Sequence, residues 1–220
     1  MKLLDAIGAL LFPPKCLLCR KVLDDDELDL CHTCRVEAPE CPISRKKLPF
    51  VDSWVAVWYY EDWVRRSILR YKFYGARSNA HGYGRHLAMK LQHEHPEGFD
   101  LLTWVPISTL RRLRRGYDQV ELLADAVGKE LGLPSVCLLK KIRNNPPQSG
   151  ITGSAQRRAN VLGVYRAAQP ELLQGKRILL LDDVITTGAT VSECARVLLT
   201  AGAKEIHCGA VAAARHQAKK

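Results

Sequence analysis

Apolar residues in this chain occur either in short unbroken runs or at intervals of three and four positions. The run Ile178–Leu181 predicts a buried parallel strand, because a strand covered on both faces is apolar at every position. The apolar spacing from Val191 to Leu199 predicts a helix shortly after it. A buried strand followed by such a helix is the repeating unit of a parallel α/β sheet.

The same two patterns predict further elements along the chain. We expect strands at 53–60, 101–107, 135–140, 176–182 and 204–213, and helices at 3–11, 62–73, 79–94, 119–131 and 188–201. Because strands alternate with helices, the sequence predicts a parallel sheet flanked by helices, with right-handed crossovers. Ligands of such sheets bind beyond the carboxyl ends of the strands, so a site is expected at that edge.

Polar side chains are concentrated where the strand at 176–182 ends. Asp182 and Asp183 come first, and a loop and helix start follow with Thr186, Thr187, Gly188, Ala189 and Thr190. Backbone N–H groups at a helix start attract an anion, and a glycine lets the backbone approach it closely. Two carboxylates beside such a loop suit ribose hydroxyls or Mg²⁺. An ordinary capped strand is the alternative, which the order of these features disfavours.

Basic residues are concentrated after the strand at 101–107. This segment contains Arg111, Arg112, Arg114 and Arg115, followed by Tyr117 and Asp118. Arginine offers a planar fork of donors that fits phosphate oxygens, although a solvated basic loop has the same composition. The polar segment 141–160 carries further arginines and is expected to be a loop, which at this length is usually functional or disordered.

Aromatic residues and cations alternate at the end of the helix predicted over 62–73. Tyr71, Lys72, Phe73 and Tyr74 stand in succession there. Such a surface can stack bases and hold phosphates, and a helix end packed on a sheet shows the same pattern.

Four cysteines near the start of the chain have the spacing of a metal site. Cys16 and Cys19 form one Cys-x-x-Cys pair, and Cys31 and Cys34 form a second after eleven intervening residues. This arrangement predicts one structural Zn²⁺ held by four thiolates, with two disulfides as the alternative. Because the acidic insert between the pairs cannot build a core, the metal would supply the folding free energy. Cys41 has Ser44 in place of a partner, so no second zinc site is expected.

Length and charge suggest how the chain is divided. Its 220 residues suffice for a small module over 1–50 and a domain over 51–220. The net charge of +10 lies wholly in the second part, which suggests a polyanionic partner or serves general solubility. No apolar run approaches the roughly 18 residues of a membrane span. The start of the chain lacks the features of a signal peptide, so we expect a cytoplasmic protein without membrane insertion.

Three motifs in one order resemble the ComF/GntX family of bacterial proteins over nearly the whole chain. They are the four cysteines, the segment that begins with Val105-Pro106 and ends with Arg115 to Gln119, and the segment from Gln148 to Val161 that leads to Asp182-Asp183-Val-Ile-Thr-Thr-Gly188. The resemblance implies a type I phosphoribosyltransferase fold with an N-terminal zinc ribbon. It also implies a role in natural transformation, in which single-stranded DNA is imported and handled.

The resemblance also implies roles for individual residues. Asp182 and Asp183 are then the central site residues, which hold the ribose hydroxyls of phosphoribosyl pyrophosphate (PRPP) together with Mg²⁺. The 5′-phosphate is expected on Thr186, Thr187, Gly188, Ala189 and Thr190, and the pyrophosphate on Arg111 and Arg115. The segment 141–160 corresponds to a flap that closes over PRPP. Asp118 stands where family members often have asparagine, which leaves its role as a ligand open.

Two classes of function are compatible with these residues. In the first, the protein binds a PRPP-type ligand and single-stranded DNA beside a helicase-like partner. The DNA would then lie on Arg111, Arg112, Arg114, Arg115 and Tyr117, with Tyr71, Phe73 and Tyr74 as further stacking groups. In the second, it is an enzyme that transfers phosphoribosyl from PRPP to an unknown acceptor. We favour the first class, because the sequence shows no recognisable pocket for an acceptor base.

Overall fold

The computed structural model describes residues 13–43, 47–143 and 154–215, and its centre is a parallel sheet. The strands are β1 (Ser53–Tyr59), β2 (Leu101–Trp104), β3 (Leu139–Lys141), β4 (Tyr165–Ala167), β5 (Arg177–Ile185) and β6 (Glu205–Ala213). Within the described residues the main sheet has the order β1-β6-β5-β2, and each neighbouring pair is parallel. The α/β fold class predicted from the sequence is therefore confirmed.

Helices cover both faces of the sheet. They are α1 (His32–Glu37), α2 (Asp62–Phe73), α3 (Asn79–Glu94), α4 (Thr109–Arg115), α5 (Gln119–Leu131), α6 (Ser154–Val161) and α7 (Ala189–Thr200), with a 3₁₀ turn at Pro170–Leu172. No helix of the described ranges combines the length and the apolar composition that crossing a membrane requires.

Successive side chains of β5 point to opposite faces of the sheet and build two cores. Leu179 and Leu181 belong to the cluster that contains residues of α2, α3 and α5, such as Leu123. Ile178 and Leu180 belong to the second cluster, on the side of α7. Because both faces of β5 are covered, its apolar run is continuous, as the sequence indicated.

The cysteine-containing segment packs on the outer side of α2 and α3. Its apolar residues, among them Leu17 and Leu18, belong to the same core cluster as those helices. Arg85 of α3 donates from Nε to Asp29 Oδ2 at 2.8 Å, which ties the acidic insert to the helix. The division at residue 50 stays a prediction, and the described part of the segment shares its core with the larger domain.

Helices occur in two segments for which the sequence predicted none. The basic segment forms α4, because Ser108 Oγ accepts a hydrogen bond from Arg111 N and Gly116 ends the helix at φ +75°. The expectation of a loop over 141–160 is wrong for its last residues, which form α6. Alanine, glutamine and arginine there favour a helix over a loop.

Two strand predictions are also corrected. The strand expected at 101–107 ends at Trp104, shortly before Pro106, which has no N–H to donate to a neighbouring strand. The strand expected at 135–140 is shifted to Leu139–Lys141, and it pairs antiparallel with β4, apart from the main sheet. Of the expected strand, Ser135 forms an isolated parallel bridge with Leu102, and Val136 N donates to the Leu102 carbonyl at 2.9 Å.

Some sequence predictions lie outside the described residues. These are the helix at 3–11, the position of Ser44, and the part of the proposed flap over 144–153.

Candidate functional site

The two central carboxylates lie inside β5 rather than after it, because the strand continues to Ile185. Asp182 points toward the α7 side of the sheet and Asp183 toward the α2 and α5 side, since neighbouring strand residues alternate. Burial, and next the charge of Asp183, raises the pKa of Asp182 to about 8. The pair therefore presents carboxyl groups on both sides of one strand end.

Asp183 is held by side chains from two helices. Lys72 Nζ of α2 lies 2.8 Å from Asp183 Oδ1, and Gln119 Nε2 of α5 donates to Oδ2 at 3.0 Å. Gln119 Oε1 in turn accepts a hydrogen bond from Arg115 Nη1 at 2.8 Å. Asp183 is only about 7% exposed, so this network fixes the carboxylate and compensates its charge.

The loop between β5 and α7 has the geometry of an anion site. Gly188 has φ +81°, and a Cβ at this position would lie 2.4 Å from Leu48 Cδ2, so only glycine fits without rearrangement. Thr187 Oγ1 accepts a hydrogen bond from Ala189 N, and Thr186 and Thr190 line the adjoining cleft. Hydroxyl groups and the start of a twelve-residue helix thus border one space.

The cleft beside these residues has a volume of about 830 Å³. Its lining carries the carboxylates Asp182 and Asp183 and the cations Arg65, Lys72, Arg77, Arg111, Arg114, Arg115 and Lys141. Cations outnumber carboxylates in this lining by seven to two, so the cleft favours an anion of high charge.

The four arginines of the basic segment do not all face the cleft. Arg111, Arg114 and Arg115 line it, whereas Arg112 Nη2 lies 3.0 Å from Glu121 and is absent from the lining. Arg115 also stacks on Phe73, with its Cζ 4.7 Å from the ring centroid. The structure therefore brings most of this cluster to the same cleft as Thr186 and Thr190.

Asp118 has a structural role in the described chain. Its Oδ1 accepts hydrogen bonds from Val120 N and Glu121 N, which caps α5, and Oδ2 accepts one from Ile107 N at 3.0 Å. The carboxylate therefore connects Ile107, which follows β2, to the start of α5. Asp118 is about 3% exposed. It supports the wall of the cleft and is not among the residues that line it.

The aromatic residues of this region divide into buried and exposed ones. Tyr71 is fully buried, and Tyr117 is buried with its hydroxyl donating to the Tyr71 carbonyl and its ring covered by Arg77. The assignment of Tyr71 and Tyr117 as stacking groups is therefore wrong for this conformation. Phe73 and Tyr74 are exposed by 57% and 79%, and they remain available for stacking.

Three cleft residues were missed by the sequence analysis as site residues. Lys72 and Gln119 contact Asp183, and Lys141 lies 5.5 Å from the centroid of the Tyr165 ring. Burial, and next the charge of Arg111, lowers the pKa of Lys141 to about 8. Lys72 belongs to the segment of aromatic and basic residues from Tyr71 to Tyr74, but no periodicity in the sequence predicted its contact with Asp183.

The four cysteines come together as predicted. The sulfur atoms of Cys16, Cys19, Cys31 and Cys34 all lie within 4.8 Å of one another, and those of Cys19 and Cys31 are 3.6 Å apart. Thiolates on a tetrahedral zinc with Zn–S bonds of about 2.3 Å are about 3.8 Å apart, so this donor set fits the ion. Cys41 is buried and lies outside the cluster, with its thiol donating to the Pro42 carbonyl.

Comparison with known proteins gives a domain match and several curated relatives. Residues 120–220 match the phosphoribosyl transferase domain. Competence protein F of Haemophilus influenzae is 27% identical over 230 residues, which cover 91% of this chain and 97% of the relative. Competence protein ComFC of Streptococcus pneumoniae is 27% identical over 87% of this chain and 96% of the relative.

A DNA utilization protein, YhgH of Salmonella typhi, is 32% identical over 108 residues. That match spans 49% of this chain and 46% of the relative, so it covers about half of each protein.

Proposed function

We propose that this chain is a member of the ComF family and a DNA-uptake protein of natural transformation. In this proposal it binds a PRPP-type ligand with Mg²⁺ and also binds single-stranded DNA, in the cytoplasm beside a helicase-like partner. The observation that carries the proposal is the shared cleft. Asp182 and Asp183, the Thr186–Thr190 loop and a ring of cations border one space of about 830 Å³.

Each part of PRPP has chemically suitable partners in this cleft. Asp182 and Asp183 accept hydrogen bonds from the ribose hydroxyls, and their oxygens are the ligands that Mg²⁺ prefers. Thr186, Thr187, Gly188, Ala189 and Thr190 hold the 5′-phosphate at the start of α7. Arg111 and Arg115 hold the pyrophosphate. Bound Mg²⁺ would further neutralise the charge of the phosphate groups.

The site for DNA is proposed on the surface next to the cleft mouth. Phe73 and Tyr74 are exposed there, and Arg115 already stacks on Phe73. Arg112 and Arg114 are exposed on α4 and add positive charge. Sequence-independent binding of single strands needs this combination of stacking rings and cations.

The arginine cluster provides the test of this proposal. We expect wild-type protein to bind PRPP with Mg²⁺ and to bind single-stranded DNA, losing about tenfold or more of its DNA affinity between about 50 and 200 mM salt. In a variant with Arg111, Arg112, Arg114 and Arg115 replaced by Gln, both affinities should fall and the salt slope should flatten. Calorimetry with PRPP and fluorescence anisotropy with labelled DNA measure the two affinities.

The outcomes separate the two ligands. Loss of PRPP binding with unchanged DNA affinity would assign the arginines to pyrophosphate alone. A wild-type protein without DNA affinity at low salt would remove DNA from the proposal and leave the phosphoribosyl site. A Lys129→Gln control changes an exposed cation outside the cleft lining and should alter neither affinity.

The cysteine cluster is proposed to hold one structural Zn²⁺. Four thiolates complete a tetrahedron and leave no open position, so the ion would stabilise the segment rather than take part in chemistry. Its place in the shared core with α2 and α3 is consistent with that role.

Transfer of phosphoribosyl to an acceptor is the second candidate function. It is favoured by the size of the cleft, which is near the upper end of the roughly 300–1,000 Å³ of small-molecule sites. The acceptor would attack C1 of PRPP, the bond to pyrophosphate would break, and pyrophosphate would leave with the bonding electrons. This function is tested by measuring the release of pyrophosphate from PRPP in the presence of each candidate acceptor, with and without single-stranded DNA.

A further inference from the structure

Lys72 forms a close ion pair in the cleft. It lies in the last turn of α2, and its Nζ is 2.8 Å from Asp183 Oδ1. Both side chains are largely shielded from solvent, at 19% and 10% exposure. A pair this close and shielded compensates the Asp183 charge far more strongly than a surface pair.

The backbone next to Lys72 is fixed to the site by two tyrosines. The Tyr71 hydroxyl donates to the Gln119 carbonyl, and the Tyr117 hydroxyl donates to the Tyr71 carbonyl. Tyr71 is fully buried, so the end of α2 cannot move away from α5 without exposing it. The position of Lys72 is therefore fixed at its Cα, whereas its four-carbon side chain can still change its direction.

The ion pair conflicts with the ligand proposed for this cleft. Ribose hydroxyls and Mg²⁺ both need carboxylate oxygens, and the Lys72 ammonium occupies one oxygen of Asp183. An ammonium and a divalent cation on the same oxygen repel each other. Gln119 occupies the other oxygen as a neutral donor and does not add to this repulsion.

We propose that Lys72 changes partner on ligand binding: it is the counterion of Asp183 in the ligand-free protein and binds a phosphate oxygen when the cleft is filled. This inference rests on the proposed function, because it requires a phosphorylated ribose ligand. Lys72 lines the same cleft as Arg111, Arg114 and Arg115, so its ammonium group and a phosphate bound by these arginines would share one space.

The exchange keeps the charges of Asp183 and Lys72 compensated. Bound Mg²⁺ would replace the ammonium as the counterion of the carboxylate, and a ribose hydroxyl would add a hydrogen bond. The released ammonium gains a phosphate oxygen, where a compact point charge with three donors is effective. A carboxylate left buried without a counterion would be strongly destabilising, which explains why ligand-free protein keeps the Lys72 pair.

The test uses Lys72→Gln in the full chain, because two affinities should change in opposite directions. Titration of ligand-free protein with Mg²⁺ alone should show severalfold tighter binding, since the competing ammonium is gone. Titration with PRPP in saturating Mg²⁺ should show about tenfold weaker binding, the usual effect of losing one charge-assisted hydrogen bond. Lys72→Arg retains the charge and should keep PRPP affinity closer to that of the wild type.

Each result decides the matter. PRPP binding by Lys72→Gln equal to the wild type, or Mg²⁺ affinity that does not rise, overturns the exchange and makes Lys72 a fixed counterion. A wild-type protein that does not bind PRPP overturns the proposed function as well as this inference. Thermal denaturation identifies a misfolded variant. If Lys72→Gln is misfolded, the PRPP affinity of Lys72→Arg is compared with that of the wild type instead. Lys129→Gln is the control whose PRPP affinity should be unaltered.

Discussion

Gly188 at the start of α7 offers a quantitative test of the geometry of the loop between β5 and α7. Its backbone has φ +81°, and an added Cβ would lie 2.4 Å from Cδ2, 3.0 Å from Cδ1 and 3.2 Å from Cγ of Leu48. We expect Gly188→Ala to be destabilising for two separable reasons. Alanine is strained in the left-handed region, and Leu48, which is buried, must move.

The two costs can be estimated separately. A left-handed backbone costs a non-glycine residue about 1–2 kcal/mol. Forcing an extra carbon into a packed site costs about 1–3 kcal/mol more. We therefore expect Gly188→Ala to lower the free energy of unfolding by about 2–5 kcal/mol.

Gly132 at the end of α5 is a matched control. It has φ +65°, and a Cβ there would meet no atom within 4 Å, so Gly132→Ala should show only the backbone cost. Urea unfolding of both variants measures the difference, which should be about 1–3 kcal/mol, or at least about 2 °C in melting temperature. Equal destabilisation by the two substitutions would refute the close approach of Leu48 to the loop.

Two further predictions concern the cysteine cluster and the end of the sheet that lies opposite the cleft. Elemental analysis of protein purified without added zinc should find about one Zn²⁺ per chain. Cys31→Ser should lower this zinc content, and Cys41→Ser should leave it unchanged. Wild-type protein without zinc would contradict the site. Burial, and next the charge of His95, lowers the pKa of His207, which also shares the Ser53 hydroxyl with His95. The pKa of His207 in the folded protein lies below the unfolded value of about 6.5. The contribution of neutral His207 to the free energy of unfolding is therefore present above that pH and is lost as pH falls, because the unfolded chain takes up the proton more readily. His207→Asn should reduce the drop in unfolding free energy between about pH 7.5 and 5.5, and an undiminished drop contradicts the reasoning.

The elements that the sequence predicted well carry local signals. The buried run Ile178–Leu181 and the spacing from Val191 to Leu199 each identify an element without reference to the rest of the chain. The elements β5 and α7 occur close to the predicted bounds for that reason. The cysteine pairs were also recognisable, because the spacing required by a metal site is largely local.

The contacts that the sequence could not predict come from tertiary packing. Lys72 and Gln119 reach Asp183 from two different helices, and no periodicity in the sequence relates the three positions. Tyr71 was a partial exception. It lies on the apolar stripe of α2 with Val64 and Ile68, and that spacing already indicated burial rather than stacking on DNA.

The short α4 was missed because its basic composition resembles a solvated loop. Its cap at Ser108 and its end at Gly116 are the local features that indicate a helix here. The antiparallel pair of β3 and β4 had no such signal, since the two strands have only three residues each. Their pairing depends on the course of the chain between them.

Binding of PRPP in the presence of Mg²⁺ tests the central claim most directly. Isothermal titration of wild-type protein should show binding, and the double variant Asp182→Asn with Asp183→Asn should show none, because the exchange keeps side-chain size and removes both carboxyl groups. Circular dichroism should show that the variant retains its fold. Undiminished binding by the folded double variant would contradict the assignment of this cleft to a phosphoribosyl ligand.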